Sequence, residues 1–381
     1  MSHVGIDLEQ FTVDPQGSGI QRVLQYLARE WPSELVTCDF VVPFGRDYLL
    51  LKPSAADELV TLAFSEPTAG VRSAIRAKIE VLAESAPLVA PGALLSLYNA
   101  WLLPEVSYLP SVLERFALFA RCMTTGMIGY DALPMTDPIN YRFEPGRNDR
   151  VSEYFRFLAR TDALVCISEY SRRTVIERLR RSPTASTTVA HPGGDHVPVR
   201  LVPREVGNPI TFLRVGTMEA RKFPRELVSA FRVAREEGVE AQMHFIGRPS
   251  ASDASINAYV SQAVAENIGV RWTTDASDEE VREHIETSDV FLSFGTEGYG
   301  IPVLEALRRR LPVVFGGVQP AAQLMVGSGS SEVEGTTKQD LTEMFRTFSD
   351  VPTVKESQLS VDPGAVPTWR DFARSVAHAV L

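Results

Sequence analysis

Apolar residues in this chain fall in short unbroken runs, separated by stretches where they recur every three or four positions. Runs at residues 4–8, 40–44, 93–98, 123–128, 164–168, 210–216, 241–247, 270–273, 289–294 and 311–315 predict buried strands. Between them, Ile20, Val23, Leu24 and Leu27 share one face of a helix that Trp31-Pro32 ends, and Leu227, Val228, Ala230 and Phe231 share another. Residues 57–84 and 151–159 also read as helical. Ser277 with Glu280 forms a capping box, and Thr368 caps a last helix. Pro302 suits the first helical position, with Val303, Leu304 and Leu307 on the buried side. Strand–loop–helix alternation of this kind predicts an α/β protein with parallel sheets. In such proteins anionic ligands bind where a strand's carboxyl end meets a helix's amino end.

Three loops of that type carry candidate chemistry. The first is Glu297-Gly298-Tyr299-Gly300-Ile301, followed in the next helix by Glu305. The glycines allow close backbone approach to a ligand. Glu297 can accept from hydroxyls near its reacting end, and Glu305, expected in the first helical turn, can take a vicinal diol. The second loop holds Thr217, Arg221 and Lys222. Two adjacent cations there suit a diphosphate. The third is Gly17-Ser18-Gly19 ahead of Arg22. It is a poor dinucleotide fingerprint, because Arg22 stands where the third glycine belongs, so a nicotinamide-linked dehydrogenase is disfavoured.

The acid–glycine–acid string resembles the E-x7-E motif of retaining GT-B glycosyltransferases of family 4. Residues 216–222 resemble the family's Gly-Thr-x-Glu-x-Arg-Lys segment, and Tyr130-Asp131 with Pro134 a variant of its His-Asp-x-x-Pro. The resemblance covers most of the chain, strongly over 210–315 and loosely before 125. It implies a GT-B fold: two Rossmann-like domains with parallel sheets facing across a cleft. It implies that Glu297, Lys222 and Arg221 act at the donor's sugar and diphosphate. Gly298, Tyr299, Gly300, Ile301, Glu305, Thr217 and Gly247 are then expected around the nucleotide sugar. Gly19 and Arg22 match a loop at the cleft. Tyr130 stands in place of the family's His, and Asp131 either meets the acceptor or caps its turn.

Length, composition and charge add boundaries. With 381 residues the chain can form two domains. Residues 197–209 carry three prolines and little periodicity, which places an acceptor-binding domain at 1–198 and a nucleotide-sugar domain at 199–366. By the resemblance, 367–381 form a helix that crosses back to the first domain. A net charge of −10 disfavours broad nucleic-acid binding. Cys38, Cys122 and Cys166 make no metal pattern and fit a reducing cytoplasm. No signal peptide is expected from the first residues, which lack a basic region and a long apolar core, and the uncharged stretch 86–104 is broken by prolines and a glycine. The arginine-rich stretches 72–78 and 172–181 read as solvated faces, with peripheral contact on an anionic membrane as the alternative. Asp-x-Asp, the metal-holding triplet of GT-A enzymes, is absent from the sequence, so neither a metal nor another cofactor is expected. The variants at 130 and 217 look like those of bacterial mannosyltransferases. GDP-mannose is therefore the first expected donor, with UDP- or dTDP-sugars behind it and a glycan or lipid-linked hydroxyl as acceptor. A nucleotide-sugar-binding protein without turnover is the competing class.

Overall fold

The apolar runs pair into two sheets in a computed structural model that describes residues 3–65, 69–136, 148–182 and 185–381, with only the backbone described at 148 and 149. The chain divides into two units. One takes the chain through Ala132, the stretch ending at Pro192, and Thr368–Leu381. The other takes Gly193–Pro367 and, among the described residues, Leu133–Thr136. Residues 193–198 fall with the second unit for a visible reason. Gly194 packs on Leu304 and Val366, its amide donates to the Pro367 carbonyl, and His196 bonds Glu305.

In the first unit, β1 (His3–Asp7), β2 (Thr37–Phe44), β3 (Asp47–Leu51), β4 (Leu88–Val89), β5 (Ala100–Leu103), β6 (Thr124–Gly129), β7 (Ala163–Cys166) and β8 (Ser186–Val189) lie in the order β4-β3-β2-β1-β5-β6-β7-β8. All neighbours are parallel except β2–β3 and β3–β4. The order reverses between β1 and β5. Trp101, Phe116, Phe119, Met127 and Tyr154 centre one core against this sheet. Beside it, the Arg115 guanidinium bridges Asp7 at 2.6 Å and Glu9 at 2.8 Å.

Two readings change here. The apolar run 93–98 is not a strand. It forms a 3-10 turn at Pro91–Ala93 and a helical turn at Leu94–Leu97, and the strand follows at Ala100–Leu103. Leu94 and Tyr98 are buried while Leu95 and Leu97 are exposed, which is the four-residue spacing of a helix. Within the arginine-rich stretch 172–181, Arg181 is buried and bonds the carbonyls of Thr161 and Ser186, so it caps strand ends inside the unit. Arg172 pairs with Glu169, Arg72 with Asp14, and Lys78 with Glu58, all on exposed faces.

The second unit is parallel throughout. Its strands β9 (Ile210–Val215), β10 (Ala241–Ile246), β11 (Val270–Thr273), β12 (Val290–Thr296), β13 (Val313–Val318) and β14 (Ser330–Glu332) lie in the order β11-β10-β9-β12-β13-β14. This is the doubly wound Rossmann order, with its reversal between β9 and β12. The helix Pro224–Glu236 buries Leu227, Val228, Ala230, Phe231 and Ala234 on the sheet, where Phe231 and Phe212 both meet Phe345 edge-on. Among the described residues, no helix is long and apolar enough to cross a membrane.

Candidate functional site

Four glycines sit at the carboxyl ends of neighbouring strands in the second unit: Gly216, Gly247, Gly295 and Gly317. All have positive φ. A Cβ on Gly247 would lie 2.2 Å from the Gly216 carbonyl oxygen, and one on Gly295 would lie 1.9 Å from that of Arg221. The missing side chains let the strand ends and their loops stack backbone on backbone. The 3-10 turn Ala220–Lys222 is thereby laid directly on the end of β12. The Met218 amide donates to the Arg248 carbonyl, which ties the loop at Thr217 to the one at Gly247.

This stacking brings together residues far apart in sequence. Lys222 Nζ lies 2.7 Å from Glu297 Oε1, and Arg221 donates to Glu297 Oε2 at 2.9 Å. Arg221 also reaches the Thr296 carbonyl and Glu219. All three side chains at the centre are mostly buried, with Glu297 the most open at 23%. Burial opposes the charge on Glu297, but Lys222 and then Arg221 outweigh it and hold the carboxyl down at about 2. It is therefore an obligate hydrogen-bond acceptor at neutral pH.

Beneath this pair lies Arg214, which the sequence reading passed over as a strand residue. It is 3% exposed and donates to the carbonyls of Gly216 and Lys222. Its Nε has no partner among the described residues. Burial pulls its guanidinium down to about 10, and Glu297 acts in the opposite sense. The only sign of it in the sequence is one cation inside the apolar run Thr211-Phe212-Leu213-Arg214-Val215. Arg214, Arg221 and Lys222 exceed Glu219 and Glu297 by one positive charge. The site has the balance to accept an anion while keeping a carboxylate for hydroxyls.

The glycine loop after Glu297 leads into the helix Ile301–Arg308, with Gly300 as its left-handed N-cap. Ile301, not Pro302, takes the first helical position. Tyr299 is 4% exposed, so its ring packs inward. Glu305 is the fifth helical residue, in the second turn rather than the first. Its carboxyl meets His196 Nε2 at 2.7 Å. His196 was another residue the sequence reading missed, because nothing local marks one histidine in a Pro/Gly-rich linker as a partner for a distant acid.

In the first unit the candidates separate. Gly19 opens the helix Gly19–Arg29 and a Cβ there would meet nothing within 4 Å. The glycine its loop requires is Gly17, with φ +60 and the Ala63 carbonyl 2.6 Å from where a Cβ would stand. Arg22 lies over the Phe64 ring at 4.1 Å. Asp131 is half-buried just past β6. The Tyr130 hydroxyl is buried and donates to the Pro104 carbonyl at 2.7 Å, so the phenol braces the loop after β5. Tyr130→Phe is expected to lower stability by about 1–2 kcal/mol, because that carbonyl is left unpaired in the interior. Denaturant unfolding with unchanged stability would remove this bracing role.

Residues 200–342 match the family described as Glycosyl transferases group 1. A stretch of 107 residues is 31% identical to the serotype-specific mannosyltransferase WbdA of Escherichia coli. It covers 28% of this chain and only 13% of that relative. Among solved structures, WaaG, a glycosyltransferase involved in lipopolysaccharide biosynthesis, is similar over 99% of both chains, with TM-score 0.63 and 13% identity. Anabaena Alr3699/HepE, solved in complex with UDP and glucose, is similar over 99% of this chain and 98% of its own, with TM-score 0.62 and 12% identity. The lipopolysaccharide outer core galactosyltransferase WaaB is similar over 100% and 99%, with TM-score 0.60 and 15% identity. The fold is GT-B.

Proposed function

We propose that the chain is a glycosyltransferase that moves a hexose from a nucleotide-diphosphate sugar to a hydroxyl of a glycan or lipid-linked acceptor. The observation that carries this is the Glu297–Lys222–Arg221 cluster at the reversal point between β9 and β12. A diphosphate needs cations and a sugar needs a hydroxyl acceptor, and both are built there within 3 Å of one another. The match to the glycosyl transferases group 1 family over the same residues supports it. On this reading the second unit binds the donor, and Glu305, steadied by His196, takes its ribose. The first unit takes the acceptor.

The reaction is read as retaining. The bond between the anomeric carbon and the diphosphate oxygen breaks, and the acceptor oxygen bonds to that carbon on the same face. The acceptor's proton passes to the departing phosphate. Lys222 and Arg221 stabilise the charge that develops on the leaving group, and Glu297 orients the sugar and stabilises positive charge on its ring. Because Lys222 and Arg221 are read as meeting the diphosphate, with Arg214 adding positive charge beneath them, transfer is proposed to run without a divalent ion and is expected to persist in EDTA. Activity that disappears in EDTA and returns with a divalent metal would reverse that statement.

The donor is proposed to be GDP-mannose, on the likeness to WbdA. A thermal-shift screen against GDP, UDP and dTDP and their sugars tests this. GDP is expected to give the largest rise in melting temperature. A larger rise with UDP or dTDP would replace the donor, and no rise with any nucleotide would remove the transferase reading. Binding without turnover would instead leave a nucleotide-sugar-binding protein. Lys222→Ala is expected to abolish both transfer and the nucleotide shift while circular dichroism stays unchanged. Full activity in that variant would overturn the site.

A further inference from the structure

The first unit has a pocket of its own. At the carboxyl ends of β1 and β5, where its strand order reverses, is a pocket of about 410 Å³. Its polar lining includes Gln10, Asp14, Gln21, Arg72, Glu105 and Tyr108. A pocket of this size at this place in an open α/β sheet is where a small ligand is expected.

Glu105 makes the pocket chemically specific. It follows β5 directly, is 2% exposed, and its Oε2 has no hydrogen-bond partner among the described residues. The carboxyl takes hydrogen bonds from the Gln21 side chain and the Phe11 backbone. A buried polar atom left without a partner is costly unless something meets it. Burial pushes this carboxyl up to about 8, and Asp7 and Asp14 push in the same direction. At neutral pH it is mostly protonated and offers an O–H as well as an acceptor oxygen.

The surrounding charges argue against an anionic ligand. Arg72 is engaged by Asp14 at 3.0 Å, and Arg115 by Asp7 and Glu9. Gln21 Oε1 is taken up by the amides of Gln16 and Gly17, and its Nε2 reaches the Asp14 carbonyl. What remains is a neutral, hydrogen-bonding concavity with an aromatic ring, Tyr108, at its side.

We propose that this pocket binds an uncharged carbohydrate and that Glu105 meets one of its hydroxyls. As the acceptor pocket of glycosyl transfer it rests on the function proposed above, whereas carbohydrate binding itself can be read without turnover.

The experiment is saturation-transfer NMR on the full chain with the methyl α-glycosides of mannose, glucose and galactose, and mannose 6-phosphate as the charged comparison. At least one neutral glycoside is expected to bind the wild type and Glu105→Gln, which keeps a donor and an acceptor. Glu105→Leu is expected to weaken that glycoside about tenfold. The phosphate is expected not to bind. Equal binding by Glu105→Leu, equal or stronger binding of the phosphate, or no binding of any neutral glycoside would overturn the proposal. Should Glu105→Leu not fold, amide exchange of the wild type decides. Glycoside-dependent protection at residues 10–21 and 104–109 supports the site, and none there refutes it. Nucleotide-dependent melting of the wild type is read in parallel. A nucleotide shift with no glycoside response sinks this inference alone, while the reverse sinks only the donor reading.

Discussion

Glu297→Gln is expected to lower transfer by roughly 10²–10³-fold, the loss typical when one group stabilising a developing charge is removed. Glutamine keeps the shape and one acceptor oxygen but removes the carboxylate that Lys222 and Arg221 share, leaving Glu219 on Arg221. The same substitution has a pH signature. In the folded state this carboxyl titrates at about 2 against an ordinary 4.5. A depressed carboxyl contributes stability that is fully present above its unfolded value and is lost as pH falls through the folded one. The wild type is therefore expected to lose about 3 kcal/mol more than the glutamine variant between pH 5 and pH 2. Unfolding by denaturant along a pH series reads this directly. Parallel curves for the two proteins, or near-normal transfer by the variant, would show that the carboxylate is not held as described.

Gly295→Ala is expected to be as damaging without touching any charge. Gly295 has φ +97, and a Cβ there would lie 1.9 Å from the Arg221 carbonyl oxygen and 2.8 Å from Lys222 Cα. All of these are backbone atoms of one turn, so no flexible side chain can give way. The turn bearing Arg221 and Lys222 must lift from β12, and its cations must leave Glu297. A stability loss of about 3 kcal/mol is expected, combining left-handed backbone strain with the displaced turn. The nucleotide-dependent rise in melting temperature should vanish with it. An alanine variant that matches the wild type in both measurements would mean that this close stacking does not hold the cluster together.

The two variants separate what each part contributes. Loss of nucleotide response in both would tie recognition to cation placement. Loss of transfer alone in Glu297→Gln would assign the carboxylate to the sugar rather than the phosphates.

Much was legible from local pattern because strands, caps and glycine loops are local properties. The capping box at Ser277–Glu280 and the Thr368 cap are both present. The run 93–98 misled because an unbroken apolar run fits a buried strand or a helical turn equally well, and only burial at Leu94 and Tyr98 distinguishes them. At Tyr130 the motif position says nothing about which way the side chain turns. The Pro104 carbonyl that turns it inward comes from another strand's loop.

By itself the amino-acid order determined the α/β rhythm, the acid-flanked glycine loop and the adjacent cations ahead of a helix, since each depends on residues within one turn or strand. Tertiary structure decided which of them meet. Parallel pairing places the ends of β9 and β12 side by side, and Gly295 lets one loop rest on the other, so Lys222 reaches Glu297. It also decided the environments of Arg214, His196 and Glu105, because burial and charge are set by atoms that arrive from distant segments as the sheets assemble.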